Sequence, residues 1–327
     1  MKMKSVIAAI AGILATTQFT LAKEPVLYTS NPVQTVEAVN AEAQKKIGTA
    51  LGVITGGGGV LMRRLEAEKS APQGDLFWSA SAGTLGAYKE LFEPYDSPEL
   101  AAIPEKFRYP GNLFQPANVH VVTLMVNTNL LDGAEIPKKW ADLADPKWNG
   151  KILAANPNNS SMGFTVSWGL SKALDEKTYK AIVSNLVMTE SSSGVQKGVA
   201  MGEYAIGVGF EWNAYNYIAG GQEELKVVYP EEGTFLSVDY VGLVKNAPTG
   251  VKAKEAVDVI LSKEAQTELL KVGFRRPSRS DIKVSDYVKM PELDTIKTIP
   301  IDELAAADAR EGFLKDWDAL PKAGESK

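Results

Sequence analysis

Within the first part of the chain one local pattern occurs three times: a short apolar run, a loop of small polar residues, then a stretch of helical periodicity. Pro25 to Ser30 reads as a strand running through Asn31 into a helix, with Pro32 suited to its first turn and Val33, Val36, Val39 and Ala43 at helical spacing. Gly52 to Ile54 reads as a second strand, followed by Gly56-Gly57-Gly58-Gly59 and a helical run from Val60 to Lys69. Asp75 to Trp78 is a third, followed by Ser79-Ala80-Ser81-Ala82-Gly83 and a helix from Thr84 to Leu91. Successive strand–helix units of this kind predict an α/β fold, a mainly parallel sheet with flanking helices. They also place the strand-to-helix loops on one sheet edge, where open α/β sheets bind ligands.

The pattern resumes later in the chain. Val119 to Val126 reads as a strand leaving the first set of units, and Pro137 to Trp148 as a short helix and turn. Lys151 to Ala155 is a strand, Asn156 to Gly163 a polar turn, and Phe164 to Ala173 a helix with Ser160 and Ser161 at its start. Ser191 to Gly194 opens a short helix from Val195 to Met201, followed by an apolar strand from Tyr204 to Val208 and a polar and aromatic cluster, Phe210-Glu211-Trp212-Asn213. Lys226 to Tyr229 is a further strand, and Gly233 to Lys245 is extended and long enough to cross back to the first units. Lys252 to Lys271 reads as one amphipathic helix. Arg275, Arg276 and Arg279 follow, and the remainder through Leu320 reads as helical, wrapping the first lobe.

The length of 327 residues exceeds what one simple core accommodates. It suits two lobes, expected at residues 23–126 plus 243–327 and at 127–242. Residues 1–22 carry Lys2 and Lys4, an apolar run from Val6 to Ala15 too short to span a bilayer, and Thr20-Leu21-Ala22 at a cleavage position. They read as an export signal, so the mature protein is expected in the periplasm. The sequence has no cysteine, which removes disulfides, thiolate catalysis and thiolate metal sites. The formal charge of −5 becomes −7 once the two signal lysines are removed, which argues against nucleic acid and anionic membrane surfaces as partners.

The segments VLYTSNP, GDLFWSAS, MVNTNLL, WADLADPKWNGKI, ANPNNSSMGFT, GEYAIGVGFEWN and GFRRPSRSD stand in that order along the chain. Together they resemble the type II periplasmic solute-binding proteins of ABC importers, in the cluster holding ferric-ion, 2-aminoethylphosphonate, phosphoglycerate and hexose-phosphate binders. The resemblance implies two α/β lobes joined by crossing strands, with a ligand captured between them. It also implies delivery to an inner-membrane permease with a cytoplasmic ATPase. The expected receptor is a monomer without a cofactor.

The loops suit an anion, through hydroxyls and helix N-terminal N–H groups. Candidate ligand-binding residues are Ser30, Asn31, Gly58, Ser79, Ser81, Ser160, Ser161 and Ser192. Glu211 and Asp239 are candidates for the organic end of the solute, with Phe210, and less so Trp78 and Trp212, packing against it. Arg275 and Arg276 could reach an anion or pin the C-terminal segment. A small organophosphate, such as a sugar phosphate, or a phosphonate fits these polarities.

Two alternatives stand beside that reading. Ferric-ion binders of the resembled family show adjacent tyrosines where this chain has Glu211-Trp212, and Tyr215 and Tyr217 are not adjacent to each other. The other is a hydrolase using a carboxylate pair, Glu211 and Asp239, as acid and base. The single histidine, His120, and the absence of G-x-S-x-G and H-E-x-x-H motifs leave little other catalytic apparatus, so no enzyme is expected.

Overall fold

The computed structural model describes residues 23–324, and the expected export signal at residues 1–22 lies outside the described residues. The elements in chain order begin with β1 (Val26–Thr29), α1 (Val33–Ile47), β2 (Gly52–Thr55), α2 (Gly58–Ala67), β3 (Leu76–Ala80), α3 (Ala82–Leu85) and β4 (Phe92–Glu93). Then come β5 (Phe114–Asn127), β6 (Ile152–Ala155), α4 (Ser161–Ala173), α5 (Glu176–Asn185), β7 (Leu186–Thr189), α6 (Ser192–Ala200), β8 (Ile206–Phe210) and α7 (Glu211–Ala219). The chain continues with β9 (Leu225–Val228), β10 (Leu236–Val244), α8 (Val251–Leu261), α9 (Lys263–Gly273), β11 (Arg276–Pro277) and α10 (Glu303–Asp318).

The spatial strand order is β2-β1-β3-β10-β5-β8-β6-β7. Two parallel groups, β2-β1-β3 and β8-β6-β7, flank two antiparallel strands, β10 and β5. β5 joins them. Its first part, Phe114 to Val121, pairs with β10, and its second part, Val122 to Asn127, pairs with β8 and β9. All of its residues are buried, as expected of a strand covered on both faces. One hydrophobic cluster gathers Leu27, Phe77, Trp78, Val241 and Ile260; a second gathers Val122, Trp140, Ile152, Ile206 and Phe235. The apolar runs that predict the first strands thus enter one core, and the later strands build another.

Several local expectations change. The helix expected over Pro137–Trp148 is two 3-10 turns, because Asp142 and Asp145 accept backbone N–H bonds and Pro146 starts the second turn. The single helix expected over Lys252–Lys271 breaks at Ser262, whose hydroxyl oxygen caps Ala265 N–H. The stretch from Ser278 to Asp302 is largely irregular rather than helical. α10 packs against α3, while its Phe313 meets Phe164 and Trp168 of α4 and its Trp317 enters the second cluster. It straddles both halves instead of wrapping the first alone. The expectations do not include α5, β7 or α7; α7 holds most of the polar and aromatic cluster expected after the Tyr204–Val208 strand.

Candidate functional site

A cavity of about 260 Å³ lies between the two halves of the fold. Its walls include the N-terminal ends of five helices. Pro32 precedes α1, Gly57 and Gly58 open α2, Ser160 and Ser161 open α4, Ser191 to Ser193 open α6, and Phe210 precedes α7. Each such end carries unpaired N–H groups and the positive end of the helix dipole. The chain places them together because each helix follows a strand of the sheets, and the loops share one edge.

Ten of the eleven residues singled out from the sequence line this cavity: Ser30, Asn31, Gly58, Ser79, Ser81, Ser160, Ser161, Ser192, Phe210 and Asp239. The exception is Glu211. It lies in the first turn of α7 and is buried behind the wall. Its carboxylate accepts from Arg276 Nε at 2.9 Å and Nη2 at 3.1 Å, and from the Tyr229 hydroxyl at 2.5 Å. Those three bonds commit both oxygens, so Glu211 is a structural anchor and not a cavity group. The Glu211–Asp239 acid and base pair is therefore absent from the cavity. Trp78 is likewise a fully buried core residue of the first cluster.

The serines are not interchangeable caps. Ser160 and Ser191 do cap, accepting from Gly163 N–H at 3.1 Å and Gly194 N–H at 3.2 Å. The Ser161 oxygen instead accepts from Ser81 N–H across the cleft at 3.2 Å and meets the Thr84 hydroxyl at 3.1 Å. Thr84 Oγ1 also accepts from Arg310 Nη1 at 3.3 Å, which ties Ser161 to the buried arginine through Thr84. Ser81 accepts from the Thr165 hydroxyl at 3.2 Å. Ser79 accepts from Ser30 N–H at 2.7 Å, and its hydroxyl lies 2.7 Å from that of Ser30, with either oxygen able to donate. The hydroxyls of Ser30, Ser81 and Ser161 line the cavity, and each can donate to an anion there. Ser79 holds φ 112°, a region side chains rarely adopt, and its two bonds to Ser30 fix it there.

The glycine loop serves a close approach. A methyl group on Gly59 would stand 2.6 Å from the carbonyl oxygen of Asn158, and one on Gly57 would stand 3.0 Å from that of Asn159. The start of α2 touches the Asn156–Ser160 loop of the opposite half only because these positions lack side chains.

Sequence reasoning undervalued one wall. His120, Trp212, Ser237 and Arg275 also line the cavity. Arg275 is buried, with its guanidinium 3.6 Å from the Trp212 ring centre; Nη2 donates to Asn31 Oδ1 at 2.8 Å, and Nη1 lies 3.3 Å from His120 Nε2. Burial lowers its pKa to about 10, against the opposing influence of Asp239, and leaves it cationic at neutral pH. Burial also lowers the pKa of His120, which keeps the ring neutral. Its ring stacks on Phe210 at 4.4 Å. The adjacent Arg-Arg dipeptide is the signal that could have found Arg275. The two neighbours diverge: Arg276, at the start of β11, pins Glu211, while Arg275, just before the strand, lines the cavity.

Residues 71–306 match the family described as bacterial extracellular solute-binding protein. A putative 2-aminoethylphosphonate-binding periplasmic protein of Salmonella typhimurium is 29% identical over 265 residues, covering 74% of this chain and 73% of its own. The Fe(3+)-binding periplasmic protein of Serratia marcescens is 26% identical over 242 residues, covering 70% of each. The solved structure of the periplasmic binding protein AfuA from Actinobacillus pleuropneumoniae, with exogenous fructose-6-phosphate bound, aligns with a TM-score of 0.83 at 27% identity. That alignment covers 91% of this chain and 98% of AfuA.

Proposed function

The chain belongs to the bacterial extracellular solute-binding proteins, and on that premise we propose that it is the periplasmic receptor of an ABC importer for a small organophosphate or phosphonate. The observation that carries this reading is the positive, donor-rich lining of the cavity: five helix N-termini and the buried Arg275 guanidinium surround the hydroxyls of Ser30, Ser81 and Ser161, each able to donate. A phosphoryl group supplies three acceptor oxygens and negative charge to match. The cavity volume of about 260 Å³ sits just under the ~300 Å³ lower end typical of drug-sized ligand sites, which suits a small solute.

The same geometry weighs against ferric ion. Tyr215 and Tyr229 do meet, with hydroxyls 3.2 Å apart, but they sit on Glu211 and Arg276 and none of the four lines the cavity. A buried guanidinium at the cavity opposes a trivalent cation. In this reading residues 23–126 plus 243–327 and residues 127–242 form the two lobes, β5 and β10 are the crossing strands, and residues 1–22 direct export. The protein binds its solute without turning it over and passes it to a membrane permease.

Thermal-shift measurement with organic phosphates, phosphonates, inorganic phosphate and Fe³⁺ tests the assignment, since a ligand specific for the folded state raises the melting temperature. A rise with at least one organic phosphoryl compound is expected. A rise with Fe³⁺ alone would reverse the ranking, and turnover of a phosphate ester would sink the pure receptor.

A further inference from the structure

Beyond the serine loops, the inner wall of the cavity holds a set of polar groups that the protein itself leaves unsatisfied. Arg275 and Asp239 are each 3% exposed, and Asn31 and His120 each 5%. Arg275 Nε, Asn31 Nδ2, His120 Nδ1, Trp212 Nε1 and Asp239 Oδ2 have no hydrogen-bond partner. His120 Nε2 faces Arg275 Nη1, which can only donate, and this assigns the ring proton to Nδ1. The wall therefore offers four donors and one carboxylate oxygen.

The charges of Arg275 and Asp239 act on each other through space but form no hydrogen-bonded ion pair. Arg276 is held by a carboxylate in two hydrogen bonds, whereas Arg275 is hydrogen-bonded only to neutral groups, Asn31 and His120. Asp239 lies no closer than 3.7 Å to the His120 ring and makes no hydrogen bond through Oδ2. Buried charges and donors left in this state are costly unless a ligand completes them. Sugar hydroxyls would satisfy the hydrogen bonds but bring no charge to Arg275. One face of each aromatic ring is already covered, that of Trp212 by Arg275 and that of Phe210 by His120.

We infer that the solute is a phosph(on)ate carrying an α-amino-acid end: its carboxylate meets Arg275, Asn31 and His120, its ammonium meets Asp239, and its phosphoryl group meets the serines. The carboxylate supplies the acceptors that the four donors lack and a negative charge in contact with Arg275. The ammonium supplies the donor that Asp239 Oδ2 lacks and a positive charge in contact with it. This inference rests on the reading of the serine end as the phosphoryl site and adds the chemistry of the opposite end.

Calorimetric titration of the full chain with three matched phosphonates isolates each contact. 2-Amino-3-phosphonopropionate carries both groups, 2-aminoethylphosphonate lacks the carboxylate, and 3-phosphonopropionate lacks the amine; glucose 6-phosphate represents the sugar class. The first compound should bind at least tenfold more tightly than each of the others. Arg275→Met should collapse its advantage over 2-aminoethylphosphonate, and Asp239→Asn its advantage over 3-phosphonopropionate. Circular dichroism establishes that each variant folds, and if either does not, the wild-type ratios decide alone. Equal or tighter binding of 2-aminoethylphosphonate, 3-phosphonopropionate or glucose 6-phosphate overturns the amino-acid assignment while leaving the phosphoryl reading intact. No binding of any phosphoryl compound overturns both.

Discussion

Replacing Glu211 by glutamine separates an anchoring role from a ligand-binding one. Its side chain is 1% exposed and that of Arg276 is 2% exposed, so their charges have little access to water. The carboxylate accepts three bonds, two from Arg276 and one from Tyr229, and Arg276 has one further partner, the Pro291 carbonyl at 2.8 Å. A glutamine amide keeps one acceptor oxygen and turns an NH₂ group toward donors, leaving a buried guanidinium without its counter-charge. Breaking a buried pair in this way costs roughly 3–5 kcal/mol. At about 2–4 °C per kcal/mol for a chain of this order of size, the melting temperature should fall by roughly 10 °C. Thermal and urea unfolding of Glu211→Gln and of the double variant Glu211→Leu/Arg276→Met measure it, and the apolar pair should recover most of the loss because neither charge remains buried. Ligand affinity at a temperature where Glu211→Gln is fully folded should change by less than about threefold, since the residue does not reach the cavity. Wild-type stability combined with a tenfold loss of affinity would refute the argument and return Glu211 to the site.

Glu303 is half-buried beside the cavity wall, accepting from the Ser237 hydroxyl at 2.7 Å, and desolvation of its carboxyl pushes the pKa up to about 7. The unfolded chain releases that proton near pH ~4.3, so stability is greatest below that pH and falls by about 3 kcal/mol as pH rises to 7. Urea midpoints measured from pH 4 to 8 should show the decline, and Glu303→Gln should flatten it; an unaltered slope in the variant would contradict the assignment. Gly59→Ala places a methyl group 2.6 Å from the Asn158 carbonyl, while alanine in α2 favours the helix by ~1 kcal/mol. The variant should keep its unliganded stability and lose at least about tenfold in affinity, with small-angle scattering showing reduced compaction on ligand addition. Ser161→Ala removes a cavity hydroxyl that can donate to a charged group and should weaken phosphoryl binding by roughly 10–100-fold, and calorimetry showing no loss would remove Ser161 from the site.

The parts of this architecture that depend on neighbours in sequence were legible, and the parts that depend on distant partners were not. β1, β2, β3 and β6 follow from apolar runs, and the serine and glycine loops after them follow from turn chemistry, so ten of eleven candidate residues fall on the cavity. Glu211 was misread because its partner, Arg276, is 65 positions away and nothing local records the pairing. The start of α7 was missed for a related reason: Phe210 precedes the helix without a side-chain capping bond, so the usual N-cap signal is absent. The eight-residue strand expected at Val119 to Val126 runs instead from Phe114 to Asn127, since its early residues are polar, Gln115 and Asn118, or lack a backbone donor, Pro116, and are placed by pairing with β10.

Counting serines cannot distinguish a donor cavity from an acceptor cavity, because a hydroxyl serves as either; the fixed groups around them decide. Five helices present their N-terminal N–H groups to the cavity, and Arg275 adds a buried guanidinium to its wall. Neither kind of group can accept a hydrogen bond, so a ligand atom seated among them is an acceptor, and the hydroxyls of Ser30, Ser81 and Ser161 that meet it donate. Arg310 supports the same wall from behind: its guanidinium lies over the Phe164 ring at 4.0 Å and donates to Thr84, whose hydroxyl lies 3.1 Å from that of Ser161. Anion selectivity is therefore a property of the groups that surround the serines rather than of the serines alone.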